Sequence, residues 1–481
     1  MTQGGGALPP VLGLAEVRAL YARGMAPADL FAALDRRIDA ADPAVFITRS
    51  SPAMIAGAIA ALLARAPESN SLPLWGVPFA VKDNIDVAGL PTTCACPAFA
   101  RMADEDAAAV ARLIEAGAIV IGKTNLDQFA TGLNGTRTPY GVPRSVFSHA
   151  HISGGSSSGS AVAVAAGLAC FALGTDTAGS GRVPAALNNI VGIKPTPGLV
   201  STRGMVPACA SLDCLSVFAL SVADGTTVRQ FVEGFDPRDP WSRPAGETVA
   251  PLPADLRIGV LAPSDREFLG NADNARLYAE AIARSGAAPV EIDYSPFRET
   301  AALLYEGPWV AERLEAFATF GLPDSVLDPA LAPIFARARE FSAVDAFRGF
   351  HHLQALRRQC AVELARVDLL LLPTVPATFT IAEMQEAPIA RNAALGLYTN
   401  FCNLLGLAAI AIPAGFDSLG LPFGVTLVGP GGSDHALVPL AHRLHTGARC
   451  GAGTALDFLP PSPPAWNSGD TWSESRNFFR I

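Results

Sequence analysis

The sequence predicts a layered α/β fold, and three observations carry the prediction. Short apolar runs such as Ala118–Ile121, Leu369–Leu372 and Ala408–Ile412 have the length of fully buried strands. Ala- and Leu-rich periodic segments alternate with them, as helices covering a sheet would. Half of the 481 residues are hydrophobic and only 16% are charged, so the chain can bury a large core.

Taken in order, residues from about Leu12 to Ala66 are expected to be helical, with segments at Leu14–Arg23, Pro27–Ala40 and Ala53–Ala66. Pro27 suits a first helical position, where its missing N–H is not needed. From Leu74 the character changes: an apolar run, Val77-Pro-Phe-Ala-Val81, ends at Lys82 and the polar Asp83-Asn-Ile-Asp86. Strand ends are where α/β sheets present working groups, which makes Lys82 a candidate; a solvated lysine is the ordinary alternative. Glu105–Gly117 reads as a helix leading into the strand Ala118–Ile121. The segment Gly117-Ala-Ile-Val-Ile-Gly-Lys123-Thr124 matches the G-x-x-x-x-G-K-T phosphate loop, but its four intervening residues are the strand itself, which argues against a nucleotide site.

Asn125–Gly135 leads into a Gly- and Thr-rich loop up to Pro143, expected to line the cleft that Lys82 faces. Ile190–Gly198 and Leu212–Ala223 read as further strands and turns. Between about Gly225 and Val367, Pro-rich connectors lead to one strand, Leu256–Leu261, and helical segments at Asn271–Gly286, Trp309–Phe317, Leu331–Glu340 and Val344–Arg366. Core strands return at Asp368–Pro376, Ala408–Gly415 and Phe423–Gly429. The expected organisation is an N-terminal helical wrap (1–70), a core (71–225), a mostly helical insertion shaping specificity (226–367), returning core strands (368–447) and a flexible or peripheral Pro-rich tail (448–481).

A formal net charge of −9 argues against nucleic acid or an anionic membrane as the main partner. Two uncharged stretches, Ile152–Thr175 and Ala393–Phe416, invite a membrane reading, but Ser, Asn, Gly and Pro interrupt both, which favours buried core segments. Glu16, Arg18 and Arg23 precede any apolar run of leader type, so a cytoplasmic protein is expected. The eight cysteines lack zinc or redox spacing and are expected to be reduced, structural thiols; the seven histidines form no metal motif. Neither a metal nor a cofactor is expected.

The chemistry concentrates between Ile152 and Ala186. Two loops, Gly154-Gly-Ser-Ser-Ser-Gly-Ser160 and Gly174-Thr-Asp-Thr-Ala-Gly-Ser-Gly-Arg182, flank a fully uncharged segment, Ala161–Leu173. Such loops on a buried scaffold offer hydroxyls and backbone N–H groups at fixed points, the requirement for stabilising an oxyanion. A serine needs a neighbour to take its proton. With histidine as that neighbour, Gly155-Ser-Ser157-Ser-Gly159 would be a nucleophile elbow with Ser157 attacking, but the strand that should lead into it is missing: Ser145–Ser153 is polar. A lysine can serve only if burial lowers its pKa from about 10.4, and Lys82, emerging from Phe79-Ala-Val, fits that position.

Lys82 after its apolar run, the loop around Ser156 and the loop ending at Ser180-Gly-Arg-Val-Pro-Ala185 together resemble the amidase signature family of Ser-Ser-Lys hydrolases. The resemblance covers about Leu74–Ala223 and Leu369–Gly429. It implies an α/β fold with a large central mixed sheet between helices. It further implies Ser180 as nucleophile, Ser156 as a bridging serine held by a cis peptide, Lys82 as base, and an oxyanion hole from the N–H groups of Thr177, Ala178, Gly179 and Ser180. Ala178 and Ser158 stand where the family commonly has glycine; neither change removes a catalytic hydroxyl or a required N–H.

Within the family, Lys82–Pro91, Lys123–Gly132, Ser211-Leu-Asp-Cys-Leu-Ser216 and Tyr305-Glu-Gly-Pro-Trp-Val-Ala-Glu-Arg313 are similar to the allophanate hydrolases. That likeness implies a small carboxylated amide as substrate, with Arg313 holding its carboxylate, Tyr305 beside it, and Gln128 and Gly132 completing the pocket. An Arg fork suits a carboxylate. The resemblance also suggests a homodimer. A broader amidase of the same family, or a non-catalytic subunit keeping the fold, are the competing expectations.

Overall fold

Thirteen strands occur in the computed structural model, which describes residues 8–69, 71–244 and 251–463. In chain order they are β1 (Phe46–Arg49), β2 (Pro78–Lys82), β3 (Pro91–Thr92), β4 (Arg101–Met102), β5 (Ile119–Thr124), β6 (Phe171–Asp176), β7 (Val191–Lys194), β8 (Cys214–Ala219), β9 (Arg257–Leu261), β10 (Ala288–Ile292), β11 (Leu369–Pro373), β12 (Ala408–Phe416) and β13 (Pro422–Gly429). Eleven of them form one sheet in the order β1-β5-β2-β6-β8-β7-β12-β13-β11-β9-β10, while β3 and β4 pair separately. Pairing is parallel along β5-β2-β6 and β11-β9-β10 and antiparallel elsewhere, so the sheet is mixed.

The central strands β2, β6, β7, β8, β11 and β13 are buried at every residue, as continuous apolar runs require when helices cover both faces. The rings of Phe79 on β2 and Phe171 on β6 stack across the strand pair, 5.1 Å apart. Against these strands lies the helix Ser158–Ala165, made only of Ser, Gly, Ala and Val and buried on all sides. A helix without a polar face belongs in the interior. Its small side chains let its N-terminal end, and the serine loop before it, sit directly above the strand ends. No described helix is long and apolar enough to cross a membrane; the two uncharged stretches are instead divided between short helices and the strands β6 and β12.

The structure differs from the sequence expectations at the sheet edges. The region expected to be wholly helical between Leu12 and Ala66 contains β1, a four-residue, half-buried edge strand antiparallel to β5. The insertion 226–367 carries helices at Ala272–Arg284, Ser295–Glu306, Trp309–Ala318, Ala332–Ala338 and Ala343–Leu364, yet supplies two strands, not one. β9 and β10 extend the main sheet beyond β11, and β10 was unforeseen because it is a largely exposed edge strand containing Pro289. The expected tail also begins firmly attached: Gly453 donates its N–H to Asn189 O at 2.7 Å, and Ala452 is fully buried. Residues 464–481 of that tail lie outside the described residues. The strand containing the phosphate-loop look-alike runs through Gly122, Lys123 and Thr124, and the buried Lys123 ammonium pairs with Asp83 at 3.0 Å.

Candidate active site

Parallel pairing of β2 with β6 brings two C-terminal strand ends side by side, Lys82 closing one and Thr175 lying next to last in the other. Lys82 Nζ is 2.7 Å from Ser156 Oγ and 2.6 Å from Thr175 Oγ1. Ser156 precedes the buried helix Ser158–Ala165, and its peptide bond with Gly155 is cis. Ser156 Oγ lies 3.0 Å from Ser180 Oγ, which in turn lies 3.4 Å from the carbonyl oxygen of Gly132. Amine, hydroxyl and hydroxyl thus form one continuous hydrogen-bonded chain. Such a chain can pass a proton from Ser180 to Lys82 if the amine is neutral.

Burial supplies that condition. Lys82 and Ser156 have no solvent exposure and Ser180 only 2%. Loss of hydration pushes the Lys82 amine down to about 7, outweighing the opposing pull of the Asp127, Asp213 and Asp176 carboxylates.

The turn after β6 is clamped at both ends. Asp176 and Arg182 form a fully buried bidentate pair, with Nε–Oδ2 and Nη2–Oδ1 distances of 2.9 Å. Burial opposes ionisation of Asp176, but the guanidinium prevails and holds its carboxyl below the usual range. Gly181 donates to Asp176 Oδ2 at 3.1 Å, and Arg182 reaches Thr399 O at 3.1 Å. Gly179 takes φ +146°, and a Cβ there would run into the Thr399 side chain, so only glycine fits. The backbone N–H groups of Thr177, Ala178, Gly179 and Ser180 make no hydrogen bond to any described residue. Four unspent donors in one buried turn can receive an oxyanion.

Asp127 organises the facing loop. Its carboxylate accepts N–H bonds from Asn134, Gly135 and Arg137 at 3.0–3.2 Å. A Cβ on Gly132 would strike this carboxylate, which explains a glycine where the loop touches Ser180. One residue earlier, Thr131 Oγ1 accepts from Arg313 Nη1 at 3.2 Å. The guanidinium is thus hydrogen-bonded to the residue that immediately precedes the glycine beside Ser180. Arg313 is buried, lies 4.9 Å from the Tyr305 ring centroid, and leaves Nε and Nη2 without a partner; the Tyr305 hydroxyl is likewise buried and unpartnered. An unpaired buried guanidinium is costly unless a ligand completes it.

The sequence candidates therefore fall into two groups. Lys82, Ser156, Ser180, Gly132 and residues 177–180 converge, with Arg313 and Tyr305 joining through Thr131. Gln128 has a different occupation: its amide donates to Val326 O at 2.9 Å and accepts from Asp328 N at 2.6 Å, tying the insertion to the core. Ser157, the alternative nucleophile, is spent on the backbone of Thr175 at 3.2 and 3.3 Å, so the elbow reading does not hold. Thr175 and Asp213 were not singled out from sequence. Thr175 could have been found from strand alternation beside Lys82, whereas Asp213, which accepts from the Thr177 hydroxyl, lies in the Ser211–Ser216 segment that carries part of the resemblance but is given no role of its own there.

Fold and site mark an amidohydrolase, and the chain belongs to the amidase family: the family model described as Amidase matches residues 29–438. It is similar to the urea amidolyase of Saccharomyces cerevisiae, 48% identical over 381 residues that make up 78% of this chain and 21% of that protein. The chain thus spans about a fifth of that relative's length. The urea amidolyase of Lachancea kluyveri is 50% identical over 381 residues, covering 77% of this chain and 21% of its own. Among solved structures, Kluyveromyces lactis allophanate hydrolase superimposes with a TM-score of 0.84 at 40% identity, covering 94% of this chain and 75% of that one.

Proposed function

We propose that the chain is an allophanate hydrolase, releasing ammonia from the terminal amide of allophanate (urea-1-carboxylate). The observation that carries the substrate is the buried Arg313, which has two unpaired guanidinium nitrogens and is hydrogen-bonded to Thr131, the residue before the glycine that touches Ser180. A carboxylate bound there would satisfy the guanidinium bidentately. Ser180 attacks the amide carbonyl, and its proton moves through Ser156 to Lys82. The oxyanion falls to the free N–H groups of residues 177–180. Lys82 returns the proton through Ser156 to the leaving nitrogen, ammonia departs, and water clears the acyl-enzyme as a nitrogen-linked dicarboxylate. The likeness to urea amidolyase and to allophanate hydrolase supports the same substrate.

The test is ammonia release from allophanate compared with biuret, its neutral counterpart. Arg313→Ala is expected to raise the allophanate KM by about tenfold to a hundredfold, the worth of a charged hydrogen-bonded contact, and to leave biuret turnover unchanged. Untouched allophanate kinetics in that variant would favour a broader amidase. Thr175→Val keeps shape but removes one contact of the Lys82 amine. The expected loss is about tenfold in kcat, the scale of one hydrogen bond, read in the same ammonia assay.

This reading includes a cytoplasmic location and a homodimer. Eight free, buried cysteines suit a reducing compartment, and the homodimer rests on the family resemblance, with sedimentation equilibrium as its check.

A further inference from the structure

Arg313 lies on the helix Trp309–Ala318, beside Glu312. Glu312 faces another way, about 100° around the helix. Its carboxylate grips one residue with both oxygens: Oε1 accepts from Ser211 N and Oε2 from Ser211 Oγ, each at 2.7 Å. The turn that carries Ser211 is itself rigid. Leu212 and Asp213 donate their N–H groups to Cys209 O at 2.9 Å, and Asp213 Oδ2 accepts from Ala208 N and Cys209 N at 2.8 and 3.1 Å. The other Asp213 oxygen accepts from the Thr177 hydroxyl, at the start of the four unspent N–H groups. Asn403 ties the same two segments together, donating to Asp176 O at 2.7 Å and Leu212 O at 2.9 Å.

One turn, residues 208–213, is thus fastened on one side to the loop bearing Ser180 and on the other to the helix bearing Arg313. Trp309, Val310 and Phe317 already bury that helix, but apolar packing sets no direction. A two-pronged, charge-assisted bond does. We propose that Ser211 and Glu312 are positioning residues whose paired hydrogen bonds fix the distance between the Arg313 guanidinium and Ser180, and so set carboxylate recognition. The inference rests on the reading of Arg313 as the seat of a substrate carboxylate.

The experiment measures allophanate kinetics, the rate at which a neutral fluorophosphonate labels Ser180, and protection from that labelling by malonate, a dicarboxylate of the product's shape. Glu312→Ala is expected to raise both the allophanate KM and the half-protecting malonate concentration by about tenfold or more, the scale for a binding group displaced by a fraction of an ångström to an ångström. The unprotected labelling rate and kcat should stay within about threefold, because the serine chain and its N–H groups are untouched. Glu312→Gln should recover most of the loss. Ser211→Ala, which deletes one prong and leaves the helix intact, should move both constants in the same direction by less, and it decides the matter if Glu312→Ala does not fold. Unchanged KM and malonate protection, or labelling that falls together with them, would overturn the inference. So would a wild-type enzyme that malonate fails to protect. A wild-type enzyme that ignores allophanate yet shows Glu312-dependent malonate protection would remove the proposed substrate and leave the positioning role standing.

Discussion

Ser180→Ala is expected to abolish ammonia release, with kcat falling at least about 10⁴-fold, because no second hydroxyl can take the nucleophile's place. Ser156 is only 3.0 Å away, but it is hydrogen-bonded to Lys82 and lies outside the turn of four free N–H groups. An attack from there would leave the oxyanion without donors. Ser157 is held by the Thr175 backbone. The substitution removes one oxygen from a site that is 2% exposed and leaves the buried Ser156 hydroxyl without its acceptor, so the folded state should lose about 1–3 kcal/mol. The thermal midpoint is therefore the control, and mass spectrometry of the labelled peptide is the direct readout. An acylating probe should add its mass to the peptide containing Ser180 in the wild type and to none in the variant. Retention of ammonia release, or labelling at Ser156, would reject Ser180 as nucleophile. Failure of the wild type to label at all would favour a non-catalytic subunit.

What could be read from sequence and what could not divide along the range of the interactions. The Lys82 strand end, the serine loops and the buried strands are local patterns: a few consecutive residues of one chemical type. The sheet they build follows the alternating reading closely at β2, β5, β9, β11, β12 and β13, whereas β6 falls in what reads as part of an uncharged segment and a loop. The failures lie where the deciding partner is distant. Gln128 sits in a motif that suggests a pocket residue, but its amide is claimed by Val326 and Asp328, about two hundred residues away in sequence. Lys123, whose phosphate-loop reading already fails on the strand that occupies its four intervening residues, pairs inside the protein with Asp83, just past the end of β2. β1 and β10 are edge strands whose few residues bury little, so they leave only a faint hydrophobic pattern.

Arg313 shows the same division in the opposite direction. By residue type, an arginine after a glutamate on a helix suggests a solvated face, and only the motif pointed inward. In the structure Trp309, Arg313, Ala316 and Phe317 share the buried side, and Glu312 is turned away to Ser211. Burying a guanidinium beside Tyr305 with two nitrogens unpaired destabilises the free protein by an amount a carboxylate ligand would recover on binding. Such an arrangement lowers the affinity for neutral amides relative to charged ones, because only the charged ones complete the site.

The largest effect besides that of Ser180 is expected at Lys82, and its pH dependence separates a base from a mere cation. Burial holds the amine near 7 although Asp127, Asp213, Asp176 and Cys94 all act to raise it. A base must be unprotonated, so kcat/KM for allophanate should rise with pH, falling about tenfold for each unit below 7 and levelling above it. Asp213, pushed by burial up to about 6, would add a second, lower step as its hold on the Thr177 hydroxyl changes. Lys82→Met preserves length without the amine and should cost about 10²–10⁴-fold in kcat, with the limb near 7 gone from whatever activity is left. Lys82→Arg is the sharper variant. It keeps a positive charge and hydrogen-bond donors within reach of Ser156 but cannot deprotonate. If Lys82 worked only by electrostatic attraction, the arginine enzyme would keep activity and lose the pH limb. If Lys82 takes the proton, as the hydrogen-bonded chain from Ser180 through Ser156 implies, both variants should be equally inactive while their thermal midpoints report an intact fold.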